Sequence, residues 1–411
     1  MKPRLVVIGN GMAGMRTIEE LLSAAPEKYD ITVFGAEPYG NYNRIMLSSV
    51  LCGEKNIEDI VINKREWYAD NHITLHAGEG KNVIRIERGT NTVYSEDGTI
   101  AKYDRLLIAT GSNPVILPIL GHDLEGVISF RQILDVNKML DYARSYKKAV
   151  VLGGGLLGLE AANGLALRGM DVTVVHSNKI LLNRQMDYQA ATLLQKELEQ
   201  RGLKFKMPAK TQALIDNGSG HVKSVQFEDG SELDCDLFVM AIGVRPNMAL
   251  AQEAGLYCER GIIVDDTLQS YDPCVYAVGE CVQHRGDTFG LVAPLFEQAK
   301  VCANHLSGHG MAEYTTLPTA TKLKVTGINL FSVGNYLGDD ECEIIQFSDL
   351  ALGIYKKLVL KNNRLIGAVL YGETADGGWY QQLLESAQDI SDIRDILIFG
   401  EHYANTDEEL S

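Results

Sequence analysis

Two glycine runs of the same form constrain this chain most: Gly9-Asn10-Gly11-Met12-Ala13-Gly14 and Gly153-Gly154-Gly155-Leu156-Leu157-Gly158. Each follows a short apolar run, Leu5-Val6-Val7-Ile8 or Ala149-Val150-Val151-Leu152, and precedes a helix-like stretch, expected over Met15 to Ala24 and Leu159 to Leu167. A second apolar strand follows in both copies, Ile31-Thr32-Val33-Phe34 and Val172-Thr173-Val174-Val175. In such a unit the first glycine turns the chain, the second admits backbone N–H groups to a pyrophosphate, and the third packs helix on sheet. The spacing therefore predicts two α/β dinucleotide-binding units in one chain, and two dinucleotides together imply electron transfer.

The end of the second strand distinguishes the sites, because a carboxylate there accepts from a ribose 2′-OH and repels a 2′-phosphate. After the first unit Glu37 follows Gly35 and is read as the ribose ligand. After the second come His176, Ser177, Asn178 and Lys179, with Arg184 nearby and no carboxylate before Asp187. That site is open to NADH or NADPH, and Lys179 and Arg184 read equally as solvated surface cations.

The 411 residues exceed the roughly 250–300 at which one core stops growing, so two or three domains are expected. With 45% hydrophobic and 22% charged residues the composition is that of a globular protein. A net charge of −16 argues against nucleic acid and anionic membrane surfaces as partners. The N-terminus runs directly into a strand, so no signal peptide is expected, and the longest apolar stretch, Ala149 to Leu167, is interrupted by Glu160 and glycines. A cytoplasmic location is expected. The seven cysteines include no pair at redox-disulfide, iron–sulfur or zinc spacing, so no metal site is expected and the thiols read as reduced. Cys52, before Gly53, reads as a small buried side chain or, alternatively, as a single redox cysteine.

Three further segments tie the first unit to a flavin. Tyr103 to Pro114 is an apolar strand ending in Ala109-Thr110-Gly111; Leu237 to Asn247 is its counterpart, carrying Gly243; and Cys274 to Cys281 ends in Gly279 and Glu280. With these motifs in this order the chain resembles the pyridine-nucleotide-disulfide oxidoreductase superfamily. The resemblance narrows at Pro38-Tyr39-Gly40-Asn41-Tyr42-Asn43-Arg44-Ile45-Met46-Leu47-Ser48, at Gly290 to Pro294 with Glu297-Gln298, at Thr321 to Gly327, at Tyr355 to Leu360 and at Gly372-Glu373-Thr374. These segments look most like the N-terminal flavoprotein half of NAD(P)H nitrite reductase large subunits, and like rubredoxin and ferredoxin reductases.

The resemblance implies a glutathione-reductase-like α/β fold: two Rossmann-like domains plus a small C-terminal α+β domain. It places an FAD domain at 1–115 and 248–311, an inserted NAD(P) domain at 116–247, and a cap or interface domain at 312–411. It implies FAD held by Gly9, Gly11, Met12, Ala13, Gly14, Glu37, Arg44, Ala109, Thr110, Gly111, Gly279, Glu280 and Pro294. NADH or NADPH would be held by Gly153, Gly155, Leu156, Leu157, Gly158, Glu160, His176, Lys179 and Gly243. Arg44 is expected to place a charge near the isoalloxazine or, alternatively, to make a surface salt bridge. Glu160, taken to lie on the first turn of its helix, is expected to position nicotinamide or to act as a dipole partner.

Hydride would pass from NAD(P)H to FAD and electrons onward to a partner: an iron–sulfur or sirohaem nitrite reductase component, a rubredoxin or a ferredoxin. A homodimer is possible within this resemblance. Full-length large subunits continue into cysteine-rich and sirohaem-binding segments not found before Ser411, so the chain reads as a flavin module or a standalone reductase. The alternative is a single-cysteine NADH peroxidase or CoA-disulfide reductase using Cys52. Two apolar strands around Lys361-Asn362-Asn363-Arg364 predict a C-terminal hairpin, Trp379 and Tyr380 are expected to pack in a core or, alternatively, to stack near the flavin, and Asp407-Glu408-Glu409 reads as a solvated tail or the start of a linker.

Overall fold

The computed structural model describes residues 2–316, 320–325 and 327–404, without the side chains of 322–325. Thr326, within one segment quoted above, and the acidic run 407–409 lie outside the described residues. The chain forms two compact units. The first comprises Met1–Val115, Arg131–Ile133 and Val244–Thr316; the second comprises Ile116–Phe130, Leu134–Gly243 and Leu317–Ser411.

In the first unit β1 (Arg4–Ile8), α1 (Met12–Ala24), β2 (Asp30–Gly35), β3 (Thr74–Ala77) and β4 (Arg105–Ile108) build a doubly wound core. With the strand Val275–Ala277 they form one parallel sheet in the order Val275–Ala277, β4, β1, β2, β3. Leu5, Val6, Val7 and Ile8 are all buried, as a strand covered on both faces requires. The apolar face of α1, Met15, Ile18 and Leu21, is fully buried in the same core.

The second unit repeats the plan with β5 (Val127–Ser129), β6 (Lys148–Leu152), α2 (Leu156–Leu167), β7 (Asp171–Val175), α3 (Tyr188–Gln200), β8 (Lys204–Lys206) and β9 (Leu237–Met240). Its parallel sheet runs β5, β9, β6, β7, β8. In both units the helix begins three residues before its expected start, at Met12 and at Leu156. The N-caps are Gly11 and Gly155, both in extended conformation, and the third fingerprint glycine lies inside the first turn.

The chain crosses between units at 115/116, 243/244 and 316/317, with Arg131–Ile133 returning to the first. The expected cut at 247/248 falls four residues later than the crossing because Val244–Pro246 pairs antiparallel with Ser112–Pro114, and that ribbon belongs to the first unit.

The C-terminal segment, grouped with the second unit, is an antiparallel sheet of Thr321–Val325, Ile328–Gly334, Arg364–Tyr371, Ile354–Lys361 and Glu343–Asp349 in that order. The hairpin forms around Asn362 (φ +53°) and Asn363 (φ +56°), both left-handed, as a two-residue turn of this kind demands. Its first strand starts at Ile354, two residues after the expected Leu352, because Gly353 turns the chain at φ +64°. Tyr380 is fully buried on the helix Gly377–Ser386 and donates to the Leu397 carbonyl at 2.8 Å; Trp379 packs at the edge of the same core.

Candidate functional site

The two fingerprints build the same local object. Gly9 N–H donates to the Phe34 carbonyl at 2.8 Å, and Gly153 N–H to the Val175 carbonyl at 2.8 Å. Ala109 N–H reaches the Ile8 carbonyl at 2.8 Å, and Ala241 N–H the Leu152 carbonyl at 2.8 Å. Gly9 (φ +114°) and Gly153 (φ +130°) have no room for a side chain: a Cβ would lie 2.1 Å from the Ala109 oxygen or 2.2 Å from the Ala241 oxygen. Gly14 and Gly158 back onto the same glycines, with a Cβ at 2.8 Å and 2.0 Å from the Gly9 and Gly153 carbonyl oxygens.

In front of Gly11 and Gly155, by contrast, a Cβ would meet nothing within 4 Å. Each helix therefore opens onto free space with first-turn N–H groups that have no intrahelical acceptor, those of Met12, Ala13 and Gly14 or of Leu156, Leu157 and Gly158. Open space at the second glycine and contact at the other two is the arrangement a pyrophosphate needs. The residues present thus fit a dinucleotide at each cradle.

Further side chains converge on the first cradle. Gly279 (φ +94°) approaches α1 so closely that a Cβ would lie 3.0 Å from that of Ala13, and its N–H donates to Oε1 of the fully buried Gln298 at 2.8 Å. Thr110 Oγ1 donates to the Asn247 carbonyl at 2.6 Å. Ser112 Oγ donates to Glu280 Oε2 at 2.8 Å, and the same oxygen pairs with the Arg131 guanidinium. The Asn10 side chain is held by the Tyr68 hydroxyl, which donates to Asn10 Oδ1 at 2.6 Å. Pro294 lies in the first turn of the helix Val292–Leu306, and Val292, Phe296, Met12, Arg16, Asn41 and Asn43 border a cavity of about 350 Å³.

Glu37 lies two residues beyond β2. Its carboxylate accepts from the Tyr42 hydroxyl at 2.9 and 3.0 Å and pairs with Arg44 at 3.0 Å. Burial, and secondarily the neighbouring carboxylate, keep the Tyr42 phenol protonated, so it acts as donor. The structure thus brings Arg44, expected near the isoalloxazine, to Glu37, the expected ribose ligand.

Around the second cradle, His176 follows β7 directly, and its Nδ1 accepts from Gly154 N–H at 3.2 Å. Burial lowers its pKa below the usual histidine range, so the ring is neutral with its proton on Nε2. Lys179 and Arg184 are exposed, and Gly243 (φ +114°) closes the segment after β9. Glu160 corrects one expectation. Because α2 begins at Leu156, Glu160 sits on the second turn, and no acidic residue occupies the first, so the dipole-partner role fails.

Cys52 is half-buried and ends the short helix Leu47–Cys52, before Gly53 at φ +88°. A helix C-terminus carries partial negative charge, the opposite of what a reactive thiolate needs. Burial pushes the Cys235 and Cys281 thiols up to about 12 and about 11, which makes them packing residues. Four side chains that were not singled out also meet the candidate residues: Arg131, which lay in no quoted segment, and Ser112, Gln298 and Tyr42, which lay in quoted segments without an assigned contact. Arg131 carried no local signal, since it belongs to a three-residue return of the chain into the first unit.

Comparison with known proteins agrees with this geometry. Residues 3–305 match the pyridine nucleotide-disulphide oxidoreductase family, and residues 319–388 match the rubredoxin NAD+ reductase C-terminal domain. A nitrite reductase [NAD(P)H] of Bacillus subtilis is 47% identical over 97% of this chain, which covers 49% of that protein. The chain thus spans about half the length of this curated relative. A rubredoxin-NAD(+) reductase of Acinetobacter baylyi is 30% identical over 90% of this chain and 94% of its own length. Among solved structures, a covalent putidaredoxin reductase–putidaredoxin complex aligns with TM-score 0.84 and 25% identity over 94% of each chain. On the family match and the rubredoxin reductase alignment, this chain belongs to the pyridine nucleotide-disulphide oxidoreductase family.

Proposed function

We propose that this chain is an FAD-dependent NAD(P)H oxidoreductase, the flavoprotein module of an assimilatory nitrite reductase, working in the cytoplasm. The observation that carries the reading is the doubled cradle: two helix N-termini, each open at its second glycine and closed at its first and third. One such site binds a dinucleotide; two in one chain suit a nicotinamide donor and a flavin acceptor.

FAD bound at the first cradle supplies the capacity to take a hydride and release its electrons one at a time. The first-turn N–H groups of α1 hold the pyrophosphate, Glu37 the ribose, and Glu280, fixed by Ser112 and Arg131, the ribityl chain. Arg44 and Tyr42 orient Glu37. At the second cradle the N–H groups of Leu156, Leu157 and Gly158 take the nicotinamide dinucleotide, and His176 holds the loop after β7 against Gly154. The task of these residues is orientation, worth orders of magnitude in rate when reacting atoms are held in contact. The cysteines include no pair at the spacing of a redox disulfide, and electrons leave for a partner, an iron–sulfur or sirohaem component.

The test is anaerobic mixing of the yellow protein with NADH or NADPH, followed by addition of an iron–sulfur acceptor. Rapid flavin bleaching followed by reoxidation is expected; a flavin that stays oxidised with both nucleotides overturns the reading. A rubredoxin or ferredoxin reductase is the second reading, favoured by the full-length match to the Acinetobacter enzyme. Electron delivery to rubredoxin and none to a sirohaem partner would select it. The thiol reading predicts that Cys52→Ser abolishes turnover with an unchanged flavin spectrum; we expect turnover to persist.

A further inference from the structure

We propose that Tyr68 and Asn10 form a clamp that sets the first cradle for its flavin, Tyr68 being a positioning residue that lies outside every fingerprint segment. The inference rests on the flavin reading above and goes beyond it by naming what holds the turn between the first two glycines.

The two cradles share their main-chain bonds but exchange one pair of residues in size. Because Gly9 and Gly153 bond to the Phe34 and Val175 carbonyls, Asn10 corresponds to Gly154 and Gly35 to His176. A Cβ on Gly35 would lie 2.8 Å from the Asn10 Cβ, and a Cβ on Gly154 would lie 2.7 Å from the His176 ring. Each gap therefore admits one side chain, delivered by the fingerprint in the first cradle and by the end of the second strand in the other.

That side chain ties down the same turn in both copies, by different chemistry. His176 reaches inward: its Nδ1 accepts from Gly154 N–H at 3.2 Å, while the Leu182 N–H donates to the Gly154 carbonyl at 2.9 Å. Asn10 reaches outward: its Nδ2 donates to the Tyr39 carbonyl at 3.1 Å, and its Oδ1 accepts from the Tyr68 hydroxyl at 2.6 Å.

Tyr68 lies on the short helix Arg65–Asp70 and is 1% exposed. Burial keeps its phenol protonated, so it donates to Asn10 while its oxygen accepts from Asn41 N–H at 3.1 Å. One hydroxyl thus joins the fingerprint turn to the segment that carries Tyr42 and Arg44, the two groups that fix Glu37. From Asn41 the chain of bonds continues: its Nδ2 donates to Asn63 Oδ1 at 2.8 Å, and Asn63 Nδ2 donates to Glu19 Oε1 at 2.9 Å. Glu19 belongs to α1, the helix that the fingerprint opens. The turn at Asn10 and the body of α1 are therefore held from one buried polar chain, and a network of this kind fixes geometry more than it adds stability. The geometry it fixes is the aim of the first-turn N–H groups at the pyrophosphate, where support from behind the contacting groups decides affinity. A phenylalanine at 68 would fill the same volume, so the hydroxyl is there for its bonds.

Serial dilution of the flavin-loaded protein, with free FAD read by its fluorescence, gives the dissociation constant. The measurement is made well below each protein's unfolding midpoint, where a loss of stability alone leaves that constant unchanged. Tyr68→Phe removes the hydroxyl and Asn10→Ala the amide it holds. We expect each to weaken FAD about tenfold, the scale of one hydrogen bond. The double variant should lie within about twofold of the weaker single, because a clamp broken once has nothing further to lose. FAD held by either single variant as tightly as by the parent overturns the clamp and leaves the flavin reading standing, and so do losses that multiply in the double variant. Should Tyr68→Phe fail to fold, Asn10→Ala decides by the same constant. A parent that retains no FAD removes the flavin reading and the clamp with it.

Discussion

Arg131 and Glu280 form an ion pair in which 11% and 15% of the side-chain surface reaches solvent, although 149 residues separate them in the chain. Ser112 completes the arrangement from a third segment, donating to the same Glu280 oxygen at 2.8 Å. The pair thereby ties a three-residue return of the inserted segment to the strand end that carries Gly279. Removing one partner of a buried pair leaves an uncompensated charge, so Arg131→Ala is expected to cost about 3 kcal/mol. The same variant should release flavin, because Glu280 loses the group that orients it. Arg131→Ala with Glu280→Gln removes the stranded charge and should recover part of the stability but not the flavin. Thermal unfolding and the flavin-to-protein absorbance ratio check both statements.

The fingerprint glycines separate folding from binding. Gly9 and Gly153 combine positive φ with a carbonyl oxygen 2.1 or 2.2 Å from any Cβ, so alanine at either should destabilise its unit by roughly 3 kcal/mol or more. Gly11 and Gly155 have φ of −95° and −86° and open space in front. Gly11→Ala should unfold as the parent does yet lose flavin; Gly155→Ala should keep flavin and lose reduction by NAD(P)H. Loss of fold in either of the last two would show that the open space is structural.

How far the sequence foretold this follows from the range of each signal. The cradles were legible because a glycine's demand for left-handed backbone or close approach is local, and the flanking strands are apolar throughout. The hairpin was legible for the same reason, through Asn362 and Asn363. Glu160 was placed one turn wrong because the helix begins at Leu156, directly after the N-cap Gly155 whose backbone is still extended, and apolar pattern alone does not mark that cap. The contacts of Arg131, Gln298 and Tyr42 were not legible, even though the last two lay in quoted segments, because each depends on where the fold puts its partner: Glu280, Gly279 and Glu37. For Arg44 a salt bridge was one of two expectations, but its partner Glu37 was not foreseen, since nothing in the spacing says which carboxylate an arginine seven residues on will meet.

Tyr355 and Asp187 join the C-terminal sheet to the start of α3 within the second unit, with the phenol donating to the carboxylate at 2.6 Å. Burial first, and then the nearby carboxylate, raise the phenol's pKa, so it remains a donor at any pH the protein tolerates. Tyr355→Phe deletes a charge-assisted bond to a buried acceptor, at an expected cost of about 1.5–3 kcal/mol. Asp187 retains its capping bond to Ala190, so α3 should stay formed. Urea denaturation measures the cost, and a change below about 0.5 kcal/mol would show that Lys357 alone satisfies Asp187.

His176 gives the second unit a pH dependence of defined sign. Burial holds its folded-state pKa below the unfolded value near 6.5, so the unfolded chain binds a proton more readily than the folded one. Its contribution is therefore complete above pH 6.5 and falls as pH drops from there toward the lower folded-state value. Protonation also places a hydrogen on Nδ1, which then cannot accept from Gly154 N–H, releasing one of the two bonds that pin the loop. In His176→Asn the amide oxygen can take the place of Nδ1 and does not titrate. Comparing the two proteins by urea denaturation at pH 7.5, 6.5 and 5.5 should show a stability slope in the parent that is absent in the variant. Parallel curves would assign the slope to other groups and leave His176 a purely steric role beside Gly154.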